Sequence, residues 1–240
     1  MKRVLLILLL FALTAIPAEG IVPGVTRGAP EAGKAKVAVA HGLPGGDAVE
    51  QNQIENTAGT YLNQLALAPE GNLKCGVASV AMVLAMTGKI ARSQRAMAEK
   101  ANALWQSYAR PTSVGAVAAM LDDHGLETEV ACLGADQAWE RMRQQVDAGY
   151  PSILLSSRLT QSGHFIVAAG YRSEVAERRA LVYDAYGGWD RAEDSYRLNS
   201  GAPKSHRGEG VYYDFDAAWG YGSEQCPAGY LLTVNEGSIE

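Results

Sequence analysis

The chain has 240 residues, enough for one large domain or two small ones with a buried core. Its 48% hydrophobic and 20% charged residues are the balance of a globular protein, which argues against a disordered, collagen-like, coiled-coil or multi-pass membrane chain. With 26 acidic and 21 basic residues the formal charge is -5, so there is no electrostatic footprint for nucleic acid and we expect no nucleic-acid partner.

Residues 1–18 have the layout of a secretory signal peptide. Lys2 and Arg3 precede an apolar stretch over 4–16, and small residues follow, so cleavage after Ala18 or Gly20 is expected. The stretch is shorter than the roughly 20 apolar residues that cross a bilayer. We therefore expect a secreted or periplasmic protein with no stable membrane insertion after signal cleavage; an uncleaved signal anchor is the alternative.

Residues 19–50 are rich in Gly, Pro and Ala and show neither a helical nor a strand period. They predict a flexible leader or linker, which acts either as a tether or as a propeptide that occludes a site. Residues 51–240 are expected to form a single domain, with regular structure from about Thr57.

Helical patterns come first in this domain and strand patterns follow. Residues 75–86 are apolar on every face, which predicts a helix inside the fold that ends at Thr87-Gly88. Further helices are predicted over 93–106, 113–123 and 136–147, and strands over 127–132, 150–156, 164–171, 180–184 and 230–234. This order favours an α+β fold with an antiparallel sheet. The polar segment 187–210 is predicted to be a long surface loop.

Cys75 opens the apolar helix and is the first candidate for chemistry. A thiol at a helix N-terminus lies at the positive end of the backbone dipole, which favours the reactive thiolate. The alternative is a structural cysteine, either a buried thiol or half of a disulfide.

A thiol nucleophile needs a base, and His164 is the best-placed of four histidines because it starts a strong strand. If its strand pairs antiparallel with the next one, opposite residues have a constant sum of position numbers. A turn near Glu174 or Val175 gives a sum of about 348 to 350, and 164 plus 184 is 348. The hairpin thus predicts His164 and Asp184 side by side, with the carboxylate orienting the imidazole. The alternatives are that His164 is an ordinary strand residue with its hydrogen bonds satisfied in the fold, and that Asp184 only caps the end of its strand.

Acyl transfer also needs donors for the developing oxyanion. The backbone N–H of Cys75 is one candidate, because the first turn of a helix has unpaired N–H groups. Spacing alone leaves the second donor open among four side-chain amides, those of Gln51, Gln53, Gln64 and Asn72.

Four segments resemble the C39-like (papain-like) cysteine peptidase family: YLNQ at 61–64, CGVASVAMVL at 75–84, GHFIVAAGY at 163–171 and VYD at 182–184. The resemblance implies a papain-like fold, with N-terminal helices and a buried nucleophile helix packed on an antiparallel sheet. It also implies four site residues: Gln64 as the oxyanion donor, Cys75 as the nucleophile, His164 as the general base and Asp184 as the orienting carboxylate. Two positions differ, since many members have proline where this chain has Val77 and Ala185.

The expected function is that of an exported cysteine peptidase, which hydrolyses peptide bonds through a Cys-His-Asp triad and a thioester acyl-enzyme. Its partner is then a peptide or protein substrate. An acyl transferase or transpeptidase on the same scaffold and a catalytically inactive peptide-binding module are the alternatives. The chain contains no G-x-S-x-G, H-E-x-x-H, P-loop or dinucleotide glycine motif, so we expect no cofactor and no metal.

Cys132 and Cys226 are the remaining cysteines. In an oxidising compartment they are expected to pair and close a loop of 94 residues, 226 minus 132. This pairing leaves Cys75 free, and two separate buried thiols are the alternative.

Overall fold

The structure is a computed structural model that describes residues 36–40, 49–55, 57–108, 111–160, 162–220 and 225–237. The predicted signal peptide and most of the predicted leader lie outside the described residues. The helices are α1 (Cys75–Met86), α2 (Gln94–Ser107), α3 (Val114–Asp122), α4 (Ala135–Asp147) and the short α5 (Phe215–Ala218). The strands are β1 (Lys36–Ala40), β2 (Val49–Gln53), β3 (Leu126–Cys132), β4 (Ser152–Ser156), β5 (His164–Glu174), β6 (Glu177–Tyr183), β7 (Gly187–Asp190), β8 (Ser195–Leu198), β9 (Val211–Asp214) and β10 (Tyr230–Glu236).

The long strand β5 organises the main sheet. β6 pairs with one edge of β5, while β4 and then β2 pair with the other edge. The sheet continues through β10 to β3 beyond β4, through β1 beyond β2 and through β9 beyond β6. Every one of these pairings is antiparallel, so the predicted mixture of helices and antiparallel sheet is confirmed.

Helix α1 lies inside the fold, as its uniformly apolar sequence predicted. Residues 76–86 are all buried, because α2, α3 and the sheet cover the helix on its different sides. At the sheet, the Ser79 hydroxyl donates to the Phe165 carbonyl of β5 at 3.3 Å. The helix that begins at Cys75 therefore packs on the strand that begins at His164.

The second face of the sheet is covered by an aromatic cluster. Trp139 of α4 meets the Phe215 ring edge-on at 5.1 Å, and Phe215 stacks on Trp219 at 5.5 Å. These rings lie over Ile166, whereas its neighbour Phe165 faces α1, because successive strand residues point to opposite faces. The predicted helix over 136–147 is confirmed as α4, and Trp139, Met142 and Val146 form its buried face.

Regular structure begins earlier than expected. β2 precedes Thr57 and pairs with β5, and β1 pairs with β2, so part of the segment predicted as a leader joins the sheet. The sequence of β2, VEQNQ, has no apolar alternation. The strand instead relies on backbone pairing and on Asn52, which is buried and donates to Asp147 at 2.7 Å.

The segment 187–210 is not a simple loop. It contains the antiparallel hairpin β7–β8, in which Trp189 faces Tyr196. The unpredicted strand β9 follows it and pairs with β6. Because both additions lie beside the carboxyl end of β6, they matter for the site described below.

Two further features are a disulfide bond and the lengths of the helices relative to a bilayer. Cys132 and Cys226 form a disulfide, as predicted, with their Cα atoms 5.7 Å apart. In the part of the chain that the structure describes, none of the helices has the length and apolar character needed to cross a bilayer.

Candidate active site

Cys75 is the first residue of α1 and has a free, partly buried thiol. The preceding residue Lys74 is buried, and its ammonium donates to Asn102 of α2 at 2.9 Å and lies 5.5 Å from the Trp105 ring. The following residue Gly76 lets a neighbouring loop approach, because a Cβ there would lie 2.8 Å from the Pro111 carbonyl oxygen. Both neighbours thus fix where the helix begins and where the sulfur sits.

The surroundings of Cys75 favour its thiolate. Burial raises the pKa of the thiol and is the largest single effect, but the hydrogen bond and charge of His164 and the backbone N–H groups of Phe165 and Gly76 all lower it. The net result is a pKa below the ordinary cysteine value.

His164 is the buried first residue of β5, and its Nε2 lies 2.7 Å from Asp184 Oδ1. The preceding Gly163 has φ +83°, a conformation that glycine adopts without strain. Burial lowers the pKa of His164, but the charge and hydrogen bond of Asp184, and after them the contact with Cys75, raise it above its usual value. A raised imidazole pKa beside a lowered thiol pKa favours a thiolate–imidazolium pair.

The pairing of β5 and β6 brings these two side chains together. Val167 lies opposite Tyr183, and Ala168 lies opposite Val182, so the sum of paired positions is 350, within the predicted range. A bulge between Ala168 and Gly170 raises the sum to 351 toward the turn. Asp184 follows β6 directly, and its side chain reaches the first residue of β5.

The carboxylate of Asp184 is fully buried and has donors on both oxygens. Oδ1 accepts from His164 and from the backbone N–H of Tyr186 at 2.9 Å, and Oδ2 accepts from the hydroxyls of Tyr196 and Tyr213, each at 2.9 Å. The two tyrosines were missed because 187–210 was predicted as loop and β9 was not predicted. The run of β-forming residues over 211–213 was the available signal for β9.

Gln64 lies in a short 3-10 turn, Gln64–Ala66, and is buried. Its backbone N–H donates to the Ala185 carbonyl at 3.0 Å, next to Asp184, and its Nε2 donates to the Gly71 carbonyl at 3.0 Å. Its Oε1 is buried without a hydrogen-bond partner. Of the other candidate amides, Asn72 lines the same cleft, whereas Gln51 and Gln53 lie on β2.

These side chains open onto a cleft of about 410 Å³. The described residues that line it are Gln64, Asn72, Leu73, Cys75, Thr112, Leu155, Thr160, Ser162, Gly163, His164, Phe165 and Tyr186. Apart from Cys75 and His164 they are uncharged, and they mix apolar walls with hydroxyl and amide groups. The described part of the chain contains no group of His, Cys, Asp and Glu side chains that could hold a metal ion.

The other histidines lie elsewhere or outside the described residues. The Nδ1 of His124 contacts the Met120 carbonyl oxygen at 2.6 Å, near the end of α3. His206 pairs with Glu209 on the surface. His41 falls outside the described residues. The structure therefore brings Gln64, Cys75 and His164 to one cleft, and Asp184 lies buried behind the imidazole.

Comparison with known proteins agrees with the resemblance. The model of the Peptidase_C39 like family matches residues 57–206. No curated protein matches the chain. Among solved structures, the chain is similar to a double glycine motif protease from an AMS/PCAT transporter, crystallised in complex with the leader peptide. The identity is 17% and the TM-score 0.39, with 68% of this chain and 84% of that chain covered. Since the family match covers more than half of the sequence, the chain belongs to the Peptidase_C39 like family.

Proposed function

We propose that the protein is a cysteine peptidase that hydrolyses peptide bonds with Cys75, His164 and Asp184 as a triad. The observation that carries the proposal is a row of three groups, in which a free thiol and an imidazole line an open cleft and a buried carboxylate lies behind the imidazole. A low thiol pKa beside a high imidazole pKa supports a reactive sulfur rather than a structural one.

In the proposed reaction, the Cys75 thiolate attacks the carbonyl carbon of the scissile amide and forms a tetrahedral oxyanion. The backbone N–H of Cys75 and Nε2 of Gln64 stabilise this oxyanion. For this, Nε2 gives up the longer of its two hydrogen bonds to backbone carbonyls, the one to Asn72 at 3.4 Å, and keeps the one to Gly71. His164, which holds the thiol proton, passes it to the leaving amine, and a thioester acyl-enzyme remains. Water then attacks the thioester, His164 takes its proton as a base, and the thiol is restored when the carboxylate product leaves.

Asp184 has a supporting role in this scheme. Its carboxylate fixes the orientation of the imidazole and stabilises the imidazolium that forms while the sulfur is ionised. The packing of α1 on β5 supports a papain-like arrangement, in which a buried helix presents the sulfur to a histidine on the sheet.

The proposed substrate is a peptide or an extended segment of a protein. With a volume of about 410 Å³ the cleft has room for part of a peptide chain, and its apolar and uncharged polar walls suit such a chain. The free thiol with its lowered pKa favours an enzyme over an inactive peptide-binding module.

The experiment has two arms. In the first, the folded wild type and the Cys75→Ala variant react with iodoacetamide near neutral pH, with the disulfide kept intact. We expect rapid labelling of Cys75 and none in the variant. In the second, a mixed peptide library is incubated with both proteins, and mass spectrometry is expected to find new termini with the wild type alone. A wild type whose thiol is inert would contradict the proposal.

Adding primary amines to the second arm separates hydrolysis from acyl transfer. A hydrolase gives free carboxyl termini as its main products, and an acyl transferase gives amine conjugates. Conjugates in excess over hydrolysis products would move the assignment to the transferase.

We also propose that the protein is exported after cleavage within residues 1–20. The disulfide between Cys132 and Cys226 supports this, because such bonds persist in oxidising compartments. Sequencing the N-terminus of the protein recovered outside the cytoplasm tests it. An intact Met1 there, or retention of the protein in the cytoplasm, would contradict it.

A further inference from the structure

The carboxylate of Asp184 is enclosed by donors from four parts of the chain. The side chain is fully buried, so protein groups must replace the water that an ionised carboxylate would otherwise bind. Oδ1 accepts hydrogen bonds from His164 and from the backbone N–H of Tyr186, and Oδ2 accepts hydrogen bonds from the hydroxyls of two tyrosines. The oxygen that faces away from the imidazole is thus held entirely by tyrosine.

The geometry around Tyr213 fixes the direction of its hydrogen bond. Its hydroxyl oxygen accepts the backbone N–H of Trp189 at 2.7 Å, so its single proton is left to be donated. Two acceptors are within reach, Asp184 Oδ2 at 2.9 Å and the Gly187 carbonyl at 3.3 Å. The carboxylate is both closer and charged, and therefore takes the proton.

Tyr196 touches two members of the triad at once. Its hydroxyl donates to Asp184 Oδ2, and its ring meets the His164 ring edge-on, with centroids 5.9 Å apart. Tyr186 lies against the same imidazole at 5.7 Å and against Tyr196 at 5.4 Å. The two rings cover the imidazole beside its hydrogen bond with the carboxylate.

We propose that Tyr196 and Tyr213 are positioning residues of the active site, whose hydroxyls hold the Asp184 carboxylate in place and aimed at His164. The proposal rests on the peptidase function proposed above, and it makes the hairpin β7–β8 and strand β9 part of the catalytic apparatus. Tyr213 lies outside the segment matched by the family model, which ends at residue 206.

Both tyrosine hydroxyls stay protonated, and can donate a hydrogen bond, at every pH at which the enzyme works. Burial, followed by the negative charge of Asp184, raises the pKa of Tyr196 and of Tyr213 far above the ordinary tyrosine value. The other titratable groups that face Asp184 are His164 and Tyr61, and Cys75 lies beyond the imidazole. The Tyr61 hydroxyl donates to the backbone carbonyl of Asp184 at 3.0 Å, so its proton is not available to the carboxylate.

The test compares Tyr196→Phe, Tyr213→Phe and the double variant with the wild type. Each change removes one hydroxyl and keeps the ring. Tyr212→Phe is the matched control, because Tyr212 is the neighbour of Tyr213 on β9 and is largely exposed. The readout is the second-order rate constant for alkylation of Cys75 by iodoacetamide, measured as a function of pH. The pH range runs from below 6.5, the ordinary pKa of histidine, to above 9.0, the ordinary pKa of cysteine.

We expect each single variant to react about tenfold more slowly than the wild type on the acid side and at the same rate on the alkaline side. The reason is that a carboxylate without these donors is held less firmly against the imidazole, so the imidazolium loses part of its support and the thiolate beside it is less favoured at low pH. At high pH the thiolate forms without that support. The double variant should lose more than either single one, and Tyr212→Phe should match the wild type.

Thermal unfolding of the same proteins separates positioning from packing. Tyr213→Phe is expected to lower Tm, because the Trp189 N–H loses its acceptor. A lower Tm with an unchanged pH profile in the single variants would overturn the proposal and assign the tyrosines a packing role only. A wild type that is not alkylated on the acid side would instead overturn the peptidase function, so the two failures are distinguishable.

Discussion

The reactivity of Cys75 depends on two opposing effects on one sulfur atom. Burial disfavours the thiolate, while the charge and hydrogen bond of His164 favour it. The same opposition recurs at His164, where burial disfavours the imidazolium and Asp184 favours it. The ionised form of each group is therefore favoured by its neighbour, and removing one partner leaves the other with the cost of burial.

His164→Ala tests this dependence. Without the imidazole, burial dominates and the pKa of the Cys75 thiol rises, so the midpoint of iodoacetamide alkylation against pH should move upward. At neutral pH the labelling rate should fall by about tenfold for each unit of that movement. His124→Ala, which alters a histidine at the end of α3, should leave the profile unchanged. An unaltered midpoint in His164→Ala would show that the imidazole does not act on the sulfur.

Gln64→Ala separates oxyanion stabilisation from thiol reactivity. Peptide hydrolysis should fall about a hundredfold to a thousandfold, because one donor to the tetrahedral oxyanion is lost. Alkylation of Cys75 should keep its rate, since that displacement forms no oxyanion. Asn72→Ala is the control, because Asn72 lines the same cleft. If Asn72→Ala shows the large loss and Gln64→Ala does not, the donor role belongs to Asn72.

Among the elements, α1 positions the Cys75 sulfur through its first turn rather than through its length. The helix is apolar throughout, and the chain before it is held by buried Lys74. Close approach of the loop at Pro111 is possible because residue 76 lacks a side chain. The position of the sulfur is thus set by the packing of one helical turn.

Gly76→Ala is expected to disturb this turn. The added methyl would lie 2.8 Å from the Pro111 carbonyl oxygen and 3.1 Å from Val117, so the loop or the helix must shift. We expect a loss of about 1–3 kcal/mol in the free energy of unfolding and slower alkylation of Cys75. Chemical denaturation and the labelling rate measure the two effects.

Gly115→Ala is the matched control for Gly76→Ala. Gly115 is the second residue of α3, as Gly76 is of α1, but a Cβ at 115 meets nothing within 4 Å. It should be neutral or stabilise the protein by up to about 1 kcal/mol, because alanine favours the helix. Equal losses at both positions would show that backbone preference, rather than the close contact, is responsible.

For the whole molecule, the disulfide ties together the region that carries the site. It closes a loop of 94 residues between Cys132 at the end of β3 and Cys226 before β10. That loop contains β5 and β6, and so both His164 and Asp184. Cys75 lies before the loop and reaches its partners only through the packing of α1 on β5.

Replacing both cysteines, Cys132→Ala with Cys226→Ala, tests the contribution of the bond. On the chain-entropy model a loop of this length contributes about 4–5 kcal/mol to the free energy of unfolding, because the bond restricts the unfolded chain. Urea denaturation should show a loss of that order, while the alkylation profile of Cys75 in the folded variant stays that of the wild type. A changed profile would mean that the bond also shapes the site.

The sequence by itself determined the elements that hold the candidate site. The all-apolar run from Cys75 predicted a buried helix with the observed bounds. A helix that is buried on every side is apolar on every face, so its sequence shows the burial without any knowledge of what packs against it. Residue arithmetic on one hairpin placed His164 near Asp184, because antiparallel pairing between neighbouring strands is a local property. The observed sum of 350 rather than 348 sets Asp184 two positions away from direct opposition to His164, within reach of its imidazole.

Only the tertiary structure decided what surrounds these residues. Tyr196 and Tyr213 reach Asp184 from strands with weak apolar patterns, and β2 joins the sheet by backbone pairing and one buried asparagine. Periodicity reports which side of an element is buried, but it does not report which distant side chain meets a buried charge. That choice is made by packing between segments far apart in the chain, and the donors to the carboxylate therefore emerged only when the fold was complete.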